Sequence, residues 1–319
     1  MAPIIETRHL TKQYGKLTAL NDVNLTVEED AVFGFIGPNG AGKTTTMRIL
    51  TTLLRPTSGE AFVAGASVAR DPRAVRRVIG YMPDFFGVYD DMKVWEYLDF
   101  FAACYDIPEA KRHSLVDDLL NLVDLQHRRD DFVDKLSRGM KQRLCLARTL
   151  AHDPQILILD EPASGLDPRA RIEIRELLRE LRRMGKTIFF SSHILSEVAE
   201  ICTHIGVIEA GKLVTAGSLE DIRQRLIPHR ILKIDVLDRV DDARALLITL
   251  PGVVEVRAGS GEDTAPGRHQ LAVDFSGDDV QLSALPVALG AQNIPIVGFS
   301  EDKADLEDVF MRITQGIVS

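Results

Sequence analysis

Cysteine is scarce in this chain of 319 residues: only Cys104, Cys145 and Cys202 occur, far apart, with no CxxC pair and no neighbouring cysteine–histidine cluster. Neither a disulfide framework nor a structural zinc site is expected, and a reducing compartment is the natural setting. Long apolar runs are missing too. No stretch approaches the roughly 20 residues a membrane-spanning helix needs, and the opening MAPIIETRHLTKQYG lacks the apolar core of a signal peptide. The expectation is a protein soluble on its own. Basic residues are in deficit, 38 Lys and Arg against 47 Asp and Glu, for a formal charge of −9. Nucleic acid and anionic lipid demand a basic footprint, so no nucleic-acid partner is expected. With 45% hydrophobic and 27% charged residues the composition is globular, which excludes disorder and fibres. The length exceeds what one compact core usually holds and predicts two domains.

What is present is an α/β alternation over the first 225 or so residues. VFGFIG (Val32–Gly37), QILILDEP (Gln155–Pro162) and KTIFFSSH (Lys186–His193) are short apolar runs stopped by polar or turn-forming residues, as central strands of a buried sheet should be. Helical patterns cover Thr44–Leu54, Val94–Tyr105, Arg112–Val123, Lys141–Leu150 and Arg169–Met184. The last, RARIEIRELLRELRRM, reads as a solvated amphipathic helix with spaced ion pairs. Composition shifts near Ile227–His229, after which strands at 231–237, 253–257, 270–275 and 294–299 alternate with helices at 241–250, 280–289 and 305–313, with a Gly-rich turn at 259–267. This βαββαβ order predicts a small ferredoxin-like α+β domain without a catalytic constellation. The expected boundaries are 1–226 and 227–319, with a helical subdomain at about 85–150.

The strongest chemical signal is GPNGAGKT at Gly37–Thr44, the pattern G-x-x-x-x-G-K-[ST] placed after an apolar strand and before a helix. Gly37, Pro38, Asn39, Gly40, Ala41, Gly42, Lys43, Thr44 and Thr45 are the candidate phosphate-binding residues. Backbone N–H groups of such a loop and the positive helix end cradle phosphate, the lysine reaches the β- and γ-phosphates, and the Thr44 hydroxyl would ligate Mg²⁺. Kinases, GTPases and ATPases all use this device. In ILILDEP, Asp160 ends a hydrophobic strand, where a carboxylate can hold Mg²⁺ through its water shell. Glu161 comes next, placed to orient and deprotonate an attacking water. LSRGMKQRL at Leu136–Leu144 puts Ser137 and Gly139 at the head of a helix, either an ordinary cap or a second anion-binding helix end.

At this point the sequence resembles the nucleotide-binding subunits of ABC transporters, P-loop ATPases whose signature LSGGQ or LSKGM matches Leu136–Met140. SGLD at Ser164–Asp167 is similar to that family's D-loop, His193 to its switch histidine, and Tyr14 in KQYG to the aromatic that stacks on adenine. The resemblance covers residues 1 to about 220. It implies ATP and Mg²⁺ as ligands and head-to-tail pairing of two such subunits. Ser137 and Gly139 would meet the γ-phosphate held by a partner's Lys43, and His193 the one held by its own chain. It implies a second ATP-binding subunit, identical or sibling, and a separate membrane-spanning permease on whose cytoplasmic face the chain would sit. The C-terminal domain and the ending DLEDVFMRIT resemble the appended domain of subunits serving ABC-2 type exporters.

The chain departs from that family at one place. Where the family carries a glutamine linking Mg²⁺ to the membrane subunit, IGYMPDFFGVYDDM has Asp84, shorter and charged, a third candidate on the metal side with Thr44 and Asp160. Phe85, Phe86, Tyr89 and Trp95 are candidates for a docking surface or for the packing of the helical subdomain. Other classes fit less well. Repair-type ABC ATPases need a long coiled-coil insertion, whereas Lys43 and Ser137 stand 94 positions apart. Ribosome-acting members carry two cassettes in one chain, and no NKxD-type guanine motif supports a GTPase.

Overall fold

A computed structural model describes residues 3–84, 87, 89–194, 198, 200–226, 230–258 and 268–302. The chain forms two compact units that divide between Leu219 and Glu220.

Among its described residues the first unit contains two sheets. Strands β1 (Ile5–Tyr14), β2 (Leu17–Val27), β4 (Ser58–Val63) and β5 (Ala66–Ser67) form an antiparallel sheet in the order β2-β1-β4-β5. The second has six strands: β3 (Val32–Ile36), β6 (Ile79–Met82), β7 (Ile156–Leu159), β8 (Thr187–Ser192), β9 (His204–Glu209) and β10 (Lys212–Ser218). Their order is β10-β9-β3-β8-β7-β6, parallel except for the β9–β10 pair. Every residue of β3, β7 and β8 is buried, as expected of strands covered on both faces. Phe33, Phe35 and Phe189 stack within the core that joins this sheet to Ile5, Leu10 and Leu20 of the first sheet and Met47 of α1 (Lys43–Leu50).

Helices α2 (Pro72–Val78), α3 (Val94–Cys104), α4 (Glu109–Leu122), α5 (Arg138–Leu150) and α6 (Pro168–Arg183) belong to this unit, with α7 (Leu219–Leu226) at the division. The charge-laced segment is α6. It buries Ile174, Leu177, Leu178 and Leu181 and pairs Arg179 with Glu176 and Arg183 with Glu180 on its outer side.

In the second unit β11 (Arg230–Val236), α8 (Val240–Leu247), β12 (Val253–Ala258), β13 (His269–Phe275), α9 (Asp279–Ala291) and β14 (Ile296–Asp302) keep the βαββαβ order. Its antiparallel sheet runs β12-β13-β11-β14, the ferredoxin-like arrangement read from the sequence. Alternate residues Leu232, Ile234, Val236, Leu271, Val273 and Phe275 face Leu247 of α8 and Leu285 and Leu289 of α9. The Gly-rich turn at 259–267, the helix at 305–313, Phe85 and Phe86 lie outside the described residues.

Candidate functional site: the carboxyl edge of the parallel sheet

Parallel strands all deliver their next residues to one edge, and ligands of such sheets bind in the crevice outside the strands' carboxyl ends. Four neighbouring strands supply this edge: Gly37 comes directly after β3, Asp84 after β6 with one residue between, Asp160 and Glu161 after β7, and His193 after β8. Register sets their heights. Ile36 pairs with Ser192 and Leu159 with Phe190, which brings Asp160 level with Ser191.

The phosphate loop is shaped by two glycines. A Cβ on Gly37 would stand 2.2 Å from the Ile208 carbonyl oxygen, and Gly42 has φ +111° with the Ala19 carbonyl 2.8 Å from where its Cβ would be. Only glycine fits either position without distortion. Helix α1 begins at Lys43 with no side-chain cap, so its first N–H groups are left to an anion. The Lys43 ammonium donates to the carbonyls of Gly37 at 2.6 Å and Pro38 at 3.3 Å, and lies 3.6 Å from Glu161 Oε1. Burial pushes this lysine below its usual pKa, while Glu161 pulls it back up.

Glu161 is held at several points. Its backbone has φ +52°, a left-handed conformation that a side chain adopts at a cost. Its N–H donates to Ser191 Oγ at 2.9 Å, and its carbonyl accepts from Ser164 N–H at 3.0 Å. The carboxylate spans Lys43 on one oxygen and His193 Nδ1 on the other, 2.6 Å away. Asp160 is buried beneath, accepting from the Ser191 hydroxyl at 2.7 Å, while its own N–H donates to Met82 O at 2.8 Å. Asp84 stands at the rim. Burial, then the neighbouring Asp160 and Glu161, raise its pKa against the opposing pull of Arg138 and His193.

One cavity of about 310 Å³ is lined by Pro38, Asn39, Gly40, Gly42, Lys43, Thr44, Thr45, Asp84, Glu161 and His193, joined by Ala19 and Ser164. Gly37 and Ala41 are buried behind the loop. Ser137 and Gly139 line a different cavity, of about 440 Å³, where α5 and α6 begin. There the Ser137 hydroxyl accepts from Met140 N–H at 3.3 Å, and Asp167 caps α6 by accepting from Ala170 N–H at 2.8 Å. Tyr14 lines neither cavity. It ends β1, partly exposed, with the Lys12 ammonium 5.1 Å from its ring centre. The residue that sequence reasoning missed is Ser191, whose single hydroxyl serves both Asp160 and Glu161. The only signal was local: Ser191 and His193 alternate onto one side of the strand end.

Comparison with known proteins gives the family. Residues 20–164 match the family described as ABC transporter. A bacitracin transport ATP-binding protein of Bacillus licheniformis is 40% identical over 226 residues, 70% of this chain and 73% of its own. A Nod factor export ATP-binding protein I of Ralstonia nicotianae is 34% identical over 98% of this chain and 94% of its own. Among solved structures, an ATP-binding subunit of an ABC transporter superposes with a TM-score of 0.63 at 31% identity, over 70% of this chain and 92% of that one. A dimeric ATP-binding cassette in a post-hydrolysis state with ADP and Pi superposes with a TM-score of 0.61 at 25% identity, over 67% and 98%. Fold and site thus define a P-loop ATPase of the ATP-binding-cassette type. The chain belongs to the ATP-binding proteins of ABC transporters, nucleotide-binding ATPases that power transport through a separate membrane permease. Among the described residues no helix is long and apolar enough to cross a membrane.

Proposed function

We propose that the chain is the ATPase subunit of an exporter, that it works as a head-to-tail dimer with itself or a sibling subunit, and that Glu161 is the general base of hydrolysis. The observation that carries this reading is the fixed carboxylate of Glu161 between Lys43 and His193, over the phosphate loop. Lys43 and the N–H groups of the loop and of α1 bind the β- and γ-phosphates. Glu161 takes the proton of the attacking water, and His193 orients that carboxylate and faces the γ-phosphate. Tyr14 stacks on the adenine ring.

The two cavities support the dimer. Ser137 and Gly139 form an anion-binding helix end away from the chain's own phosphate loop, suited to a partner's γ-phosphate. The relative named for Nod factor export supports the export direction, and a partner permease would hold the chain at the cytoplasmic face of the membrane. The 227–319 segment serves as an accessory α+β domain.

The donors present are hard oxygens, which suit Mg²⁺: the Thr44 hydroxyl, Asp160 through water, and Asp84. No group of three or more His, Cys, Asp or Glu among the described residues makes a complete metal cage, so nucleotide phosphates and water must complete the shell. When bound, Mg²⁺ neutralises charge developing on the phosphates.

Glu161→Gln tests the reading. It should keep ATP binding, lower turnover by roughly 10²–10⁴-fold, the scale of a positioned proton acceptor, and trap an ATP-bound dimer visible by size-exclusion chromatography. Near-normal hydrolysis removes Glu161 from the role.

A further inference from the structure

Helix α5 grips the turn that carries Glu161 at two carbonyls. Gln142, buried, donates to Pro162 O at 2.7 Å. About one turn earlier, Arg138 donates through Nη2 to Ser164 O at 3.2 Å. Its guanidinium lies in a slot that exists because residue 165 is glycine: a Cβ there would stand 2.4 to 2.7 Å from Nη2, Cζ and Nη1 of Arg138. Gly165 has φ +67°, so the slot and the backbone bend coincide. The same guanidinium acts electrostatically on Asp84.

Arg138 therefore belongs to two places at once. It lines the cavity of Ser137 and Gly139, and it holds Ser164, a wall of the phosphate-loop cavity whose N–H is bonded to Glu161 O. The Gln142 contact is buried, whereas Arg138 sits exposed at the first residue of the helix, beside any anion that docks there. The first turn of α5 thus presents Ser137 and Gly139 to a docked anion while its Arg138 holds the turn behind.

We propose that Arg138 is a positioning residue through which the Ser137–Gly139 end of α5 holds the Glu161–Ser164 turn of the same chain. The phosphate bound at that end and the phosphate hydrolysed over Glu161 are thereby linked across the two nucleotide sites. This inference rests on the proposed head-to-tail sharing of sites.

The test uses the full chain. In Arg138→Ala, kcat should fall about tenfold, as for one lost charge-assisted hydrogen bond, with the Kd of a fluorescent ATP analogue unchanged within about twofold. Arg138→Lys keeps the charge near Asp84 but not the flat fork that fills the slot, so its kcat should stay low. Wild-type kcat in either variant, or a loss of nucleotide affinity that matches the loss of rate, overturns the proposal.

Mixing separates action within the chain from action across the interface. A dimer of Arg138→Ala and Lys43→Ala chains keeps one working lysine, with Arg138 present only on the opposite chain. If Arg138 acts on its own chain's turn, activity stays no higher than in Arg138→Ala alone. If it touches the partner's nucleotide, activity recovers and the proposal fails. The control mixes Lys43→Ala with Ser137→Arg, where shared sites predict recovery. Failure of that control, with heterodimers shown to form, overturns site sharing and the two-site link. The hold within one chain then stands or falls on the kcat-against-Kd split.

Discussion

Replacing Ser191 by alanine removes one oxygen atom on which both carboxylate-bearing residues depend. Ser191 is fully buried, and its hydroxyl donates to Asp160 at 2.7 Å while accepting the Glu161 N–H at 2.9 Å. Asp160 is only 1% exposed, so solvent offers little replacement. A hydrogen bond to a charged group contributes about 1.5–3 kcal/mol, and orphaning a buried donor costs about 1–3 kcal/mol more. Water entering the space of the hydroxyl would recover part of this, so Ser191→Ala should destabilise the first unit by about 3 kcal/mol. Trp95, the single tryptophan of the chain, lies in that unit, so its fluorescence in a urea titration reports this unit rather than a mixture of two. In an Asp160→Ala background the same serine substitution should cost about 1.5 kcal/mol less, because one of its two partners is already gone. Turnover should fall as well, since the Glu161 backbone loses its anchor. A destabilisation below about 0.5 kcal/mol, the range of ordinary surface substitutions, would refute the reasoning.

Asp84→Gln should bind ATP better with chelator present and need more Mg²⁺ for half-maximal hydrolysis, because a carboxylate near phosphate repels it unless a cation intervenes. Asp84→Ala should share the first effect and lose more of the second, and superimposable titrations of all three proteins would count against a role in metal binding. His152 carries a pH dependence. Its Nε2 is 2.9 Å from Ile79 O, its Nδ1 is buried without a hydrogen-bond partner, and Tyr105 stacks on the ring at 4.0 Å. Burial lowers its pKa from the ordinary 6.5, so the unfolded chain takes up its proton first. The neutral ring's contribution to stability is present above pH 6.5 and drains away below it. Thermal melts of His152→Gln should lose less stability than wild type between pH 7.5 and 5.5 (a range of about one unit either side), and parallel slopes would contradict this.

The parts of the fold that announce themselves in the sequence are those whose burial is uniform. VFGFI, ILIL and TIFFSS are continuous runs because both faces of the parallel sheet are covered. The N-terminal antiparallel sheet gives no such signal. Along β1, IETRHLTKQY, the register against β2 shifts after Thr7, Leu10 and Lys12, which breaks the period-two alternation a half-buried strand would show. The site divides in the same way. Lys43, Asp160, Glu161 and Ser137 are legible because each stands inside a short motif whose neighbours do the positioning. Ser191 is not, because its role depends on the register between β7 and β8, about thirty residues apart in sequence. Arg138 stands in a motif, yet its reach to Ser164 and Gly165 depends on the angle between two helix ends, and no spacing encodes that angle.

That register turns strand length into a ruler. Neighbouring strands end at the same edge, and each residue adds about 3.3 Å of height and flips the side-chain direction. Inserting one residue into the buried stretch of β8, a second isoleucine beside Ile188 for example, would leave its composition almost unchanged and still form a strand. It would also put the ring of Phe190 where the Ser191 hydroxyl now meets a buried carboxylate. Side chains along the middle of β8 are therefore exchangeable for others of like volume, whereas the number of residues between Thr187 and His193 is not. An insertion or deletion is better absorbed in a surface turn such as the one between β4 and β5, where the exposed Ala64 and Gly65 already take left-handed conformations.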